Sequence, residues 1–535
     1  MKHILFYLLF IGLTVSSNNL YAQHWLWAKD TTGNSEAGGQ QCVVLDKYGY
    51  IYCKTDYLIK HAPNGRIVWQ KPIPGWYSSS PMTADNAGYL YRQYQTNGGD
   101  TIYVEKIDTA GNEIWTRKLI PQGPIAPYSY ITDFFINVDN LGHLYVSGQF
   151  TSPVIYGGND SLVNCLAYIP MVNGAPKPFI VKYDTAGNQL WMKSTGCSDS
   201  TIANGITTDH SGNIFLTGVT TGSIDFNGSR VSIPYNGCAY YVAKCDSNLN
   251  LIWIKMNHHS PHVNLGWINI SDYPSEIRTD NAGNAYVGGD YYGSDTLSGT
   301  TLLPMPSYTF GGFVAKYNGT NGNLLWVKTN TNCINYTSGM ATNGSGITYF
   351  TYPSLSTSTF GGVNMPVNQP TTAGYNEVIV GLDSAGNVLC GELMGGSIGD
   401  DECGLAIDNA GNAYMLGDYI HSAKFGKITL NPGNDTERYF LAKFTCFASQ
   451  TGVQEEEVRS QPEIYPNPAT NELFIKLNGN KTTNASISNL LGQLLIQANL
   501  TNQQPAIQIS QLPPGMYLLK LSVGEDSQVM RFIKD

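Results

Sequence analysis

Along most of this 535-residue chain apolar and polar residues alternate with a period of two, in short runs cut by Gly, Asn and Asp. That is the signature of half-buried strands joined by tight turns. The stretch from Leu405 to Gly417 is a clear instance. Apolar residues flank a turn in which Asp408 can accept backbone amides ahead of it and Gly411 supplies positive φ, which predicts a β-hairpin. The stretch from Phe313 to Trp326 predicts a second hairpin. Two hairpins make four strands, the content of one propeller blade.

The pattern repeats. The first turn recurs at Asp46, Asp85, Asp139, Asp209, Asp280, Asn343 and Asp408, which predicts seven units. Each second hairpin ends on a Trp-x-Lys strand: Trp69, Trp115 (with Arg117), Trp191, Trp253 and Trp326, degenerate at Cys390. The seventh unit stops at Leu441 to Phe444 with no such strand. Trp25-Leu-Trp-Ala-Lys29 precedes the first unit with no unit before it. Docking that strand into the last unit satisfies both ends and leaves only short sheet edges. The fold class expected is therefore all-β: a seven-bladed β-propeller closed by an N-terminal strand, then a small C-terminal β-sandwich. No amphipathic helical period interrupts it. A Trp repeated once per unit is expected to pack between neighbouring blades. Connectors of varying length, several with Gly-Gly, account for the short first unit and the long third to sixth.

Charged residues make up 13% of the chain, about half the usual share, while Gly (57) and Tyr (35) are abundant. With a formal net charge of −10 and no Lys/Arg cluster, nucleic acid is not an expected partner, nor is an anionic membrane surface. Residues 1–22 carry Lys2, an apolar stretch from Ile4 to Val15 and a polar end, which reads as a secretory signal cleaved after Ala22 or Gln23. No later stretch is long and apolar enough to span a bilayer, so no transmembrane segment is expected, and the exported chain is expected to be a monomer. The domains expected are 1–22 signal, 23–446 propeller, 447–461 linker and 462–535 sandwich.

Export to an oxidising compartment makes disulfides admissible. Pairing Leu45 with Tyr50 around the first turn sets Cys42 opposite Cys53, a candidate disulfide where Cα separation permits. Cys390 and Cys403 flank a loop and form a second candidate pair.

The run from Gly395 through Asp400, Cys403 and Asp408 to Tyr414 resembles the repeat of bacterial extracellular seven-bladed propellers, the SBBP repeat. The resemblance covers about residues 24 to 446; the first unit and the sixth, with Asn343 and Cys390, depart from it. It implies fold more than activity.

After a linker carrying Glu455 to Glu457, short alternating strands separated by Asn, Gly and Pro turns run to the end of the chain. Tyr465, Pro466, Asn467 and Pro468, then Leu490-Leu-Gly492, then Leu512 to Tyr517 with Gly515, then Arg531 to Lys534, closely resemble the type A C-terminal sorting domain of the type IX secretion system of Bacteroidetes. The resemblance implies recognition by that export machinery, removal of the tail, and release of the cargo or its attachment at the outer surface.

Candidate chemistry is sparse. His258, His259 and His262 form the single histidine cluster, placed just after a Trp-x-Lys strand on an expected loop; a metal site would need further ligands in space. Asp400, Asp401 and Glu402, and likewise Asp272 and Glu276, could supply acid and base, but they sit in polar connectors of the repeat. The Asp and Asn of the turns would suit calcium, yet turn chemistry already requires them, so no cofactor is expected. The expected function is an exported surface or secreted propeller that binds a ligand, for which a glycan or a protein are the candidates, or a surface partner. The alternatives are a secreted glycosidase or lyase with its two carboxylates on different blades, and a purely structural surface protein.

Overall fold

The computed structural model describes residues 24–31, 42–73, 81–95, 101–122, 131–150, 154–158, 160–163, 177–195, 201–220, 222–232, 238–259, 274–292, 296–302, 310–330, 339–354, 358–365, 376–396, 402–431, 438–447, 463–466, 468–476, 483–489, 493–501, 506–523 and 526–535. The expected signal segment lies outside them. The chain divides into two compact units, Met1–Ala448 and Ser449–Asp535.

Every element among the described residues of the first unit is an antiparallel strand. The first ladder runs Val43–Leu45, Ile51–Lys54, Tyr57–His61, Ile67–Pro72. Five more follow in chain order with the same up-and-down connection, beginning at Met82–Ala84, Ile131–Val138, Thr201–Thr208, Pro274–Thr279 and Gly339–Thr342. The seventh takes Glu402–Ile407, Asn412–Tyr419 and Arg438–Thr445 from the end of the unit and its outer strand, Trp25–Thr31, from the beginning. Trp27 stands opposite Lys443 and Lys29 opposite Leu441, the pairing that the spare and missing strands call for. The first strand of each ladder packs beside the first strand of the next, and Val43–Leu45 packs beside both Met82–Ala84 and Glu402–Ile407.

One turn chemistry sets the register of the first hairpins. In the first ladder Asp46 Oδ1 accepts the amides of Tyr48 and Tyr50 at 2.9 and 3.0 Å, while Gly49 takes φ of 80°. Asp46 Oδ2 receives the Tyr52 hydroxyl at 3.2 Å, and equivalent bonds join Tyr91 to Asp85, Tyr145 to Asp139, Tyr286 to Asp280 and Tyr414 to Asp408. The lysine of the Lys-Tyr-Asp strand lies across from that tyrosine. Its ammonium reaches the aspartate in two ladders, Lys244 to Asp209 at 3.0 Å and Lys316 to Asp280 at 3.2 Å.

Lysine and tryptophan of one ladder then grip the second turn of the next. Lys60 and the Trp69 indole both donate to the Thr109 carbonyl at 3.1 Å, and Lys71 donates to Gly111 at 2.6 Å. The same clamp joins Lys106 and Trp115 to Thr185, Lys244 and Trp253 to Gly319, and Lys316 and Trp326 to Ser384. Two bonds converge on one carbonyl oxygen, which has two lone pairs to receive them. The glycine of the gripped turn is required twice. At Gly322 φ is +72°, and an added Cβ would come within 2.7 Å of the Trp253 ring. The tryptophan thus packs between ladders as expected. Trp191 is the exception: Leu249 replaces the glycine at φ 67° and packs with it, and Lys193 supplies the bond, to Asn248 at 2.7 Å.

The variable connectors of ladders three to seven are small hairpins that reach back to the outer strand of the preceding ladder. Val154–Gly157 pairs with Glu113–Gln122, and Ala423–Phe425 with Val388–Gly396. The others attach by single bonds, such as Gly361 N–H to Thr329 O at 2.9 Å. They cover edges that would otherwise be open to pairing.

Both cysteine expectations need correction. The first turn closes with Asp46 bonded to Tyr50, so Leu45 faces Ile51 and Val43 faces Cys53. Cys42 therefore falls opposite Lys54, one residue out of the expected register. Both are buried, and no disulfide joins them. Cys390 is bonded to Cys446, not Cys403, with Cα atoms 5.4 Å apart and a sequence separation of 56. On the chain-entropy account a loop of that length stabilises by about 4 kcal/mol.

The second unit holds two sheets. One orders Glu463–Tyr465, Glu472–Lys476 and Ala506–Gln508; the other orders Leu494–Leu500, Thr483–Ser488, Gly515–Val523 and Asp526–Lys534. Alternate residues of both, among them Leu473, Ile475, Ile487, Leu519 and Phe532, form one buried cluster. This is the sandwich that the alternation predicts.

Candidate functional site

In the first unit the inner strands of six ladders line a cavity of about 270 Å³. Its wall includes Val44, Thr83, Asn137, Arg278, Ala341 and Ala406, each two residues before the turn Asp or Asn of its unit. The wall is aliphatic with scattered hydroxyl and amide groups, and part of it is fixed by hydrogen bonds between neighbouring ladders. Thr208 donates to Asn137 Oδ1 at 2.8 Å, and Thr279 donates to the Thr208 carbonyl at 2.8 Å. Arg278 carries the one formal charge among the lining residues. Its guanidinium lies 2.8 Å from Glu276, whose carboxyl is raised above its ordinary value by burial, with Arg278 opposing the rise. The arrangement offers hydrogen-bond donors and acceptors beside apolar wall, suited to an uncharged ligand. A glycosidase would need two carboxylates facing one another across a substrate, and the lining residues include none.

The histidine cluster lies elsewhere. His258 and His259 extend the outer strand Leu251–His259, opposite Ala239 and Cys238, so their backbone is strand where a loop was expected. Their side chains, and His262, lie outside the described residues, as do Asp272, Asp400 and Asp401. Among the described residues no group of three His, Cys, Asp or Glu side chains is arranged to hold a metal ion. Among the described residues, too, no helix is long and apolar enough to cross a membrane.

In the second unit the motif residues take distinct parts. Tyr465 is exposed, stacked on Phe474 at 5.7 Å, and precedes Pro466 through a cis peptide bond. Pro468 is exposed, and Asn467 and Gly492 lie outside the described residues. Tyr517 is buried, stacks on Phe532 at 5.7 Å and donates its hydroxyl to Pro513 O at 2.8 Å, closing the turn that Gly515 ends. Lys534 pairs through its backbone with Gly515, and the flanking amides bind Ala469: Ala469 N–H to Ile533 O at 2.8 Å and Asp535 N–H to Ala469 O at 3.0 Å. Residues just past the Tyr-Pro-x-Pro segment are thereby tied to the last strand. Arg531, Met516 and Ile533 remain exposed, the last two as cross-strand neighbours.

Comparison with known proteins agrees with this division. Residues 463–535 match the family described as the secretion system C-terminal sorting domain, and residues 196–225 match a β-propeller repeat. The chain thus joins a propeller-repeat region to a sorting tail of the type IX secretion system. The tail marks it for export to the cell surface or beyond and implies contact with that machinery. A curated relative, an uncharacterized WD repeat-containing protein of Acanthamoeba polyphaga mimivirus, is 30% identical over 143 residues, which are 25% of this chain and 10% of that protein. Among solved structures, a protein of unknown function from Bacteroides caccae matches at 12% identity and TM-score 0.31, covering 66% of this chain and 92% of that one. Puromycin hydrolase matches at 11% and TM-score 0.40, covering 74% and 54%. Likeness at that level carries no functional argument.

The inter-ladder clamp and the lined cavity were missed in the sequence. A signal for the clamp was present: tyrosine or phenylalanine stands six residues after every turn Asp or Asn, and lysine recurs in the third strand of every unit but the sixth.

Proposed function

We propose that residues 24–447 form a closed seven-bladed propeller, and that the protein acts outside the cell as a non-catalytic binding protein. Its ligand is an uncharged, hydrogen-bonding chain, a glycan before a peptide, taken at the mouth of the inner-strand cavity. The observation that carries this reading is the composition of the wall: hydroxyls at Thr83 and Thr342 and an amide at Asn137 among aliphatic residues, with the lone charge neutralised by its neighbour Glu276. Ring closure is supported by the pairing of Trp25–Thr31 with Arg438–Thr445 and by the contact of the first inner strand with the last.

The test is a glycan and peptide array probed with the full exported chain, followed by titration of the best ligand. Thr83→Val, which removes one hydroxyl and keeps the shape, should weaken binding roughly tenfold. Unchanged affinity in that variant would move the site off the inner strands and end this reading.

A further inference from the structure

The sixth unit departs from the repeat at four places, and all four meet at one joint. Where the other units carry a turn Asp, a strand Lys and a Trp, the sixth carries Asn343, Gly381 and Cys390, and two residues further on it carries Glu392. The joint it faces is the one between the strands at opposite ends of the first unit. A tryptophan clamp needs the second turn of the next ladder to grip. In the seventh ladder the third and fourth strands, Arg438–Thr445 and Trp25–Thr31, are joined by no turn, because they are hundreds of residues apart in sequence.

Each departure fills that gap. Cys390 takes the tryptophan position and is bonded to Cys446, the residue that follows Arg438–Thr445. Gly381 leaves room for it: the Cys446 sulfur lies where a Cβ on residue 381 would go. With the strand lysine absent, an aspartate at 343 would lack its cation. Asn343 keeps the turn, accepting the Ser345 and Ile347 amides at 3.1 and 3.0 Å, without a charge. Tyr349, freed from an aspartate, donates to Gly411 O at 2.8 Å and accepts the Cys446 amide at 2.9 Å. Glu392 accepts the His24 amide at 3.4 Å, holding the start of Trp25–Thr31, while Thr445 N–H donates to His24 O at 2.9 Å.

We infer that the sixth unit is an oxidatively set clasp: the Cys390–Cys446 disulfide replaces the tryptophan clamp at the seam, and it is what keeps the N-terminal strand from leaving the last ladder. The inference rests on the closed-ring reading above. Cys446 is half-buried beside exposed Phe447, while Cys390 is buried, so an oxidant reaches the pair from the Cys446 side. The step is thiol–disulfide exchange with an external disulfide oxidant. The two thiols give up two protons and two electrons, the Sγ–Sγ bond forms, and the oxidant's own S–S bond opens to a dithiol. A chain that still has both thiols holds its last strand by backbone pairing and by side-chain contacts such as Trp25 on Phe444 and Tyr419 on Asp30, without a covalent tie at the seam, and oxidation after export sets it.

The test is amide hydrogen exchange on the full chain, oxidised and then gently reduced and alkylated, with Cys390→Ser/Cys446→Ser as a second route to the same state. Reduction should speed exchange in Trp25–Thr31 and Arg438–Thr445 at least tenfold and leave the first ladder, Ile51–Lys54 and Tyr57–His61, unmoved. Protection at the seam that survives reduction, or a loss spread evenly over all ladders, would overturn the clasp while the ring stood. Absence of protection in Trp25–Thr31 of the oxidised chain would instead remove the ring itself and the clasp with it.

Discussion

The repeat region and the tail are both all-β, yet they hold themselves together by different means. In the repeat region buried lysines, aspartates and indole N–H groups recur at joint after joint, with the sixth unit departing, and every ladder is fastened mainly to its two neighbours. In the tail a single apolar cluster does the work, with Leu473, Ile487, Leu519 and Phe532 at its centre, and no cysteine follows Cys446. A chain of joints loses stability one joint at a time, because each term is a nearest-neighbour term. A single core of this size loses it all at once.

The largest effect expected is on export. Deleting residues 462–535 should abolish surface display and release into the medium, measured by protease accessibility on intact cells and immunoblotting of the medium; undiminished display would defeat the sorting assignment. Next comes the tail core. Leu519→Ala, opposite Ile487 in the ladder and fully buried, should cost about 2–5 kcal/mol and shift only the tail's transition in urea. Movement of the repeat region's transition with it would show that the two units unfold as one.

A joint between ladders should yield less completely. Trp253→Ala removes both the packing against Gly322 and the bond to Gly319 O and should cost about 3 kcal/mol, with faster hydrogen exchange confined to the fourth and fifth ladders. Acid should find the same joints. Burial pushes Asp209 and Asp280 upward, but bonds from Asn213 and Asn284 and the ammonium groups of Lys244 and Lys316 outweigh it, so both sit below the ordinary carboxylate range. A depressed folded pKa gives stability that is present above the unfolded value and is lost as pH falls through the folded one. Below about pH 4 the first turns of the fourth and fifth ladders should therefore loosen, while the first turn of the sixth, built on Asn343, should not respond. Uniform loosening, read by hydrogen exchange against pH, would count against the ion pairs.

Much of this was legible in the sequence because a repeat shows the same local physics several times. Asp, Gly and the period of two placed the first hairpins, and the spare Trp25–Lys29 strand pointed to its partner. The disulfide was not legible. The Cys42–Cys53 expectation failed by one residue of register, set by whether Asp46 closes on Tyr50 or one residue short of it. The Cys390–Cys446 pair spans two ladders, which spacing does not reveal. The sixth unit looked degenerate for the same reason: Asn343, Gly381 and Cys390 make sense only together, around a sulfur supplied by the seventh. The cavity wall was hidden too, since residues such as Thr83 and Asn137 become a site only when separate ladders bring them side by side.

The smallest effect expected lies at Lys54, where the repeat region has a buried charge with no counterpart at the matching place in other ladders: Gln93, Ser147, Thr217 and Thr351 stand there. Burial, with Arg92 adding to it and Cys42 opposing, brings the Lys54 ammonium down to about 7. Below that pH the folded chain carries a cation that burial disfavours. Between about 7 and the ordinary lysine value near 10.4 the unfolded chain binds the extra proton, so stability should climb with pH across that window. Lys54→Met keeps the length and discards the charge. It should raise the melting temperature by a few degrees at pH 7, about 1 kcal/mol, with the advantage shrinking toward pH 10. An advantage that did not change with pH would mean that packing, and not the buried ammonium, separates this joint from the tail's wholly apolar core.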